Sequence, residues 1–284
     1  MPSLPTISEK DEAKAAAKDA GAPKGSFDAP TAGERDEATI AYVTALGDDA
    51  LILGQRLGEW CGHAPALEVD LSLANMGLDL IGQATNWLTL AAEHDEKHAD
   101  ADALAFHRDV LDFRNSLLVE QPNGDFAQTM ARQFLFSTWQ HMLLERLAGS
   151  SDEAIAGIAA KSVKEVAYHR ELSADWVVRL GDGTEESKRR MAEGLDWCWR
   201  FIPELFEVTD ELEGLIERGI AVDPRGFEDE YRAALVQTLE EATLEAPADQ
   251  RPILGGRRGH HSEHLGHLLA VMQFLPRTYP DAKW

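Results

Sequence analysis

Ten histidines and fifty acidic side chains give this 284-residue chain its most obvious capacity for chemistry. Inside a long helical bundle, carboxylates and imidazoles hold a pair of metal ions when two helices each supply a Glu and two others each supply Glu-x-x-His. The i, i+3 spacing puts both ligands on one helix face. No histidine here has Glu three positions before it, and only His98 has an acid there, Asp95, in a charged loop. The nearest patterns are one residue longer. Glu59 and His63 are interrupted by Gly62, and Glu165 and His169 carry Tyr168 where a ligand histidine would stand. His260, His264 and His267, with His261 and Glu263 beside them, resemble a metal comb. One helix cannot enclose an ion alone, so a packed, hydrogen-bonded or interface role is expected, with adventitious metal as the other reading.

Other chemistries find little support. Cys61 and Cys198 are the two cysteines and make no C-x-x-C, which argues against a zinc ribbon, a thioredoxin-type site and a disulfide scaffold. G-x-S-x-G and G-x-G-x-x-G are absent. Gly255-Gly256-Arg257-Arg258-Gly259 is a basic loop ahead of a helix. Its two guanidiniums could hold a phosphate or an acidic partner surface, though it lacks the Lys-Ser/Thr ending of a P-loop. A plain surface turn with solvated arginines is the other reading.

The elements that must carry these residues read as helices almost throughout. Residues 1–32 lack large apolar residues beyond Leu4, Ile7 and Phe27 and are expected to be a disordered tail before a helical domain over 33–284. Val43, Leu46, Ala50, Leu53, Leu57 and Trp60 mark one face of a first helix, closed by Gly62 and Pro65. Leu67, Leu71, Ala74, Leu78, Ile81, Thr85 and Leu88 predict the inward stripe of a second. Long helices are expected over 126–148 and 153–180, a fifth from Thr184 to about Val208, and further ones near 211–217, 227–244 and 262–277. The pattern predicts an all-α protein, a four-helix bundle with additional C-terminal helices.

Two polar stripes cross this apolar pattern. Asn75, Asp79, Gln83 and Asn86 run along the second helix, and Gln133, Ser137 and His141 share a face of the third. Buried polar groups need partners. An internal network, a protein interface and the remnant of a ligand-bearing face all fit.

Net charge is −23, from 27 Lys and Arg against 50 Asp and Glu. That acidity disfavours nucleic acid and anionic membranes and leaves room for a basic partner. The least charged stretch, Leu71 to Ala92, is too polar for a membrane span and suits a buried helix. A cytoplasmic protein is expected.

Four segments carry a specific resemblance: Arg56–Pro65 (RLGEWCGHAP), Leu78–Ala84 (LDLIGQA), Leu118–Gly124 (LVEQPNG) and Gly219–Pro224 (GIAVDP). With Gly255–Gln273, they are similar to the C-component family of bacterial phenylacetyl-CoA 1,2-epoxidases, over about residues 36–284. The resemblance implies a ferritin-like fold and a catalytically silent, structural chain without cofactor. It implies three kinds of partner in a heteromeric complex. One is a paralogous A component that holds the di-iron centre and epoxidises the aromatic ring. The others are a bridging B component and a flavin and iron–sulfur reductase drawing on NADPH. Against the family's catalytic paralogue, Asp79 followed by Gly82 and Glu165 followed by Tyr168 are expected to occupy the lost ligand positions. The alternative is a di-iron oxidase in its own right, with Asp79, His141, Glu165 and His169 as unusual ligands.

Overall fold

Apolar stripes at helical spacing need a surface to bury against, and four long helices supply it to one another. A computed structural model describes residues 35–93, 97–248, 250–280 and 282; the expected tail over 1–32 lies outside them, as does Asp95. No strand occurs among the described residues. The bundle comprises α1 (Glu37–Gly58), α2 (Leu67–Ala92), α3 (Phe126–Leu147) and α4 (Glu153–Gly181). Three start at aspartate caps. Asp36 accepts from the Thr39 N–H at 2.9 Å, Asp125 from Gln128 at 2.9 Å, and Asp152 from Ala154 at 3.0 Å. Each cap contributes about 0.5–2 kcal/mol.

Short loops make α1–α2 and α3–α4 antiparallel pairs. Contacts of opposite numbering, Asp79 with His169 and Gln83 with Glu165, run α2 antiparallel to α4 as well. α1 and α2 approach closely at Gly54 and Gly77, where a Cβ on either would stand 3.2–3.4 Å from the other's carbonyl oxygen. On α1 the expected inward residues Val43, Leu46, Ala50, Leu53 and Leu57 are buried, and Trp60 just beyond it is half-buried.

On α2 the expected inward stripe is overturned. Leu67, Leu71 and Leu78 are 71, 57 and 69% exposed, and Thr85 is exposed too; of that set only Leu88 is fully buried. The core is reached instead by Val69, Leu73, Met76, Leu80, Ala84, Trp87 and Ala91. Both rows have helical spacing, because α2 is apolar on most of its circumference. Periodicity alone could not choose between them.

The C-terminal part adds α5 (Glu185–Trp199), α6 (Asp210–Glu217), α7 (Glu228–Glu241) and α8 (Glu263–Met272). Thr184 and Ser187 form a reciprocal cap at the start of α5. That helix stops well short of the expected Val208. A 3₁₀ segment, Ile202–Phe206, follows, with Pro203, which has no N–H to continue an α-helix, near its start. The expected last helix is split at Gln273, whose side chain donates to the Ala105 and Arg108 carbonyls at 3.1 and 3.0 Å. No helix among the described residues is long and apolar enough to cross a membrane.

Candidate functional site

The place to look for metal chemistry is the polar layer between α2, α3 and α4. Gln83, fully buried, joins all three helices: its Nε2 donates to Glu165 at 3.0 Å and its Oε1 accepts from Gln140 at 3.1 Å. Asp79 meets His169 Nε2 at 3.0 Å. Ser137 and Ser173 lie 3.3 Å apart. His141 faces Glu145 at 3.3 Å and the Arg170 guanidinium at 3.4 Å. Burial, then Arg170, holds the His141 pKa below its ordinary value, with Glu145 opposing. Both polar ends of Gln133 and Nδ1 of His169 are buried without a partner among the described residues.

This donor set does not fit a di-iron centre. Among the described residues, no three His, Cys, Asp or Glu side chains come together as metal ligands. Asp79 and His169 pair with each other, Glu165 with an amide, and His141 sits beside a cation. The interior is filled by glutamine and serine, whose neutral oxygens bind iron far more weakly than carboxylates do. Asp79 and Glu165 are half-buried, but Gly82 and Tyr168 are exposed, so the expected Asp79–Gly82 and Glu165–Tyr168 pairs do not aim inward together. One position further along each helix, Leu80 with Gln83 and Val166 with His169 are buried at i, i+3. Gln140 escapes sequence reasoning, although it stands two helical turns from Gln133 on the same face.

A second polar cluster fastens the C-terminal loop to α1. Buried Asp48 accepts from Arg108 Nη1 at 3.1 Å and from the Arg114 N–H at 2.8 Å. Its neighbour Asp49 accepts from the Ser116 N–H at 2.7 Å and Arg257 Nη2 at 2.6 Å. Glu204 takes three backbone N–H groups: Leu117 at 2.5 Å, Gly255 at 2.7 Å and Gly256 at 2.7 Å. Glu120 accepts from Asn115 at 2.9 Å and the Ser262 N–H at 2.6 Å, and pairs with His261 at 2.7 Å. Burial raises the Glu204 pKa against the pull of these N–H donors. For His261 burial works against the charged form, but the Glu120 carboxylate and the Phe113 carbonyl win and raise its pKa.

The Gly255–Gly259 loop is therefore a fixed structural piece. Gly256 packs so tightly that a Cβ would fall 2.3 Å from the Asn115 carbonyl oxygen. Arg257, expected to meet a phosphate or a partner, is held by Asp49 and the Arg114 carbonyl; Arg258 is half-exposed and paired with Glu207. The histidine comb also dissolves. His260 precedes α8, His261 turns in to Glu120, and His267 is exposed.

The outward face of α2 is the remaining feature with functional content. Leu71, Leu78 and Thr85 are exposed at successive steps of seven, with Asn75, Gly82 and Thr89 along the same side of the helix. In a chain of charge −23 this row holds no charged residue. An exposed, uncharged leucine row of this kind offers apolar surface that the chain itself leaves uncovered.

Comparison with known proteins agrees with this architecture. A family model described as "Phenylacetic acid catabolic protein" matches residues 27–284. The C subunit of 1,2-phenylacetyl-CoA epoxidase from Escherichia coli (strain K12) is 50% identical over 245 residues, covering 86% of this chain and 98% of that protein. With its helical bundle and these matches, the chain belongs to the ferritin-like, all-α phenylacetic acid catabolic protein family.

Proposed function

We propose that this chain is the non-catalytic structural member of a phenylacetyl-CoA epoxidase complex. It supports a paralogous di-iron chain that epoxidises the ring, in a complex completed by a bridging chain and a flavin and iron–sulfur reductase. The observation that carries the reading is the amide- and hydroxyl-filled layer where a metal-binding relative would place carboxylates. The matched E. coli protein is itself named as one subunit of an epoxidase, and the uncharged outer row of α2 gives this chain a face suited to a helical partner. Arg258 at the rim of the C-terminal loop remains available to an acidic partner group if its bond to Glu207 opens.

The test is metal analysis of the purified chain, alone and co-expressed with its paralogue. No bound iron is expected in the chain alone, and about two irons per pair in the complex. Stoichiometric iron in this chain alone overturns the proposal and returns Asp79, His141, Glu165 and His169 to the role of ligands. Replacing Leu71 and Leu78 with glutamate separates assembly from folding. Stability of the isolated chain should change by less than about 0.5 kcal/mol, while capture of the paralogue falls at least about tenfold.

A further inference from the structure

We infer that His261 is a proton-operated clasp: in the folded chain at neutral pH its ring carries a hydrogen on both nitrogens, and losing one of them unseats the start of α8 from residues 113–120. The side chains of His261 and Glu120 are fully buried. Nδ1 of the ring lies 2.7 Å from Glu120 Oε2, and Nε2 lies 2.9 Å from the Phe113 carbonyl oxygen. Both are hydrogen-bond distances, and each contact needs a hydrogen between its atoms.

The two oxygens cannot supply those hydrogens. A backbone carbonyl only accepts, and so does an ionised carboxylate. Other donors already aim at the same groups. The Ser262 N–H reaches Glu120 Oε1 at 2.6 Å, and the Asn115 side-chain N–H reaches Oε2 at 2.9 Å. The Phe113 carbonyl accepts from Arg114 Nη1 at 2.7 Å and has its second lone pair left for His261. Both hydrogens therefore come from the imidazole, and only its cationic form has two. A neutral ring, in either tautomer, sets a nitrogen lone pair against an oxygen lone pair at one of the contacts, and that contact opens.

The charges around the ring favour the cation. Glu120 touches it, and Asp48 on α1 adds a further attraction, although Asp48 is itself paired with Arg108. Two cations oppose. Arg114 shares the Phe113 carbonyl, and Arg56 on α1 donates to the Glu120 carbonyl at 2.7 Å and the His264 carbonyl at 3.2 Å. Arg56 is partly offset by Glu59. On the ring's own segment, His260 is exposed and His264 half-buried. The cations reach backbone oxygens, whereas the carboxylate meets the ring nitrogen directly, so attraction outweighs both repulsion and burial. The same carboxylate holds the N–H of Ser262, the residue that precedes the first turn of α8. When the ring leaves one of its oxygens, that N–H is loosened with it.

Long-range nitrogen–proton NMR of the full chain, with His261 assigned by its loss in His261→Gln, reads both ring nitrogens. Two protonated nitrogens are expected at about pH 8, where an imidazole of ordinary pKa is almost wholly neutral. Glu120→Gln keeps the shape and deletes the charge, and should move the loss of the second hydrogen down by about one pH unit or more. Amide exchange at Ser262, corrected for its intrinsic rise with pH, should speed at least about tenfold across the parent's transition and show no such step in His261→Gln. The inference is overturned by a single protonated ring nitrogen at about pH 8, by an unmoved transition in Glu120→Gln, or by a Ser262 amide that exchanges on the same pH course in the parent and in His261→Gln.

Discussion

Two buried polar clusters lie within this molecule and are built on opposite terms. The layer between α2, α3 and α4 is made largely of neutral amides and hydroxyls and leaves Gln133 without a partner among the described residues. The cluster that joins α1 to the C-terminal loop is made of acids, and Asp48, Asp49, Glu120 and Glu204 each collect at least two donors. A buried polar group is retained for structure when its bonds are satisfied; a loosely satisfied one in the same core points to a history or a use other than stability. The acids of the second cluster fasten the C-terminal loop to α1, whereas the bundle layer leaves a whole buried amide unmet among the described residues.

The sharpest way to break this contrast is Glu204→Ala. Three buried N–H groups lose their acceptor, at about 1–3 kcal/mol each. Unfolding free energy should fall by about 3 kcal/mol or more, with a melting midpoint lower by roughly 6–12 °C; an unchanged midpoint would dissolve the distinction. His261 gives a smaller effect with a pH signature. Its folded pKa lies above the unfolded value of 6.5, so the Glu120–His261 pair stabilises fully below that value. The contribution is lost as pH rises through the folded pKa. Urea midpoints across this range should decline less steeply in His261→Gln than in the parent. Gln133→Met tests the other side. Replacing an amide that has no partners by an apolar chain of similar volume should be neutral or stabilising, by up to about 1 kcal/mol. The smallest change is expected for Asp79→Asn and Glu165→Gln, whose half-buried pairs are worth under about 1 kcal/mol; turnover of the assembled complex should be unaffected.

The helical class, the bundle and most helix ends were legible in the sequence, because stripes such as Val43–Leu57 and stops such as Gly62 are local signals. The register of α2 was not. Its leucine row and its true core row lie on different sides of the helix, more than about a third of a turn apart, and only the neighbouring helices decide which row is covered. Absence of Glu-x-x-His was readable by counting letters. The acid cluster was less so, because it joins residues 48, 49, 120, 204 and 255–262. A signal was nonetheless present in Asp48-Asp49, two adjacent acids within an apolar helix. Arg257 and Arg258 looked alike in sequence and separated only when Asp49 was found beside one of them.

The Glu204 bonds also bear on the order in which the chain is made. Glu204 waits for Gly255 and Gly256, and Asp49 waits for Arg257, 208 residues further along. During synthesis from the N-terminus, the bundle helices leave the ribosome well before these partners exist. Packing of the α1 acids is thus completed only when the C-terminal segment emerges. A chain that ends before Gly255 would carry a full set of bundle helices and still be unable to close.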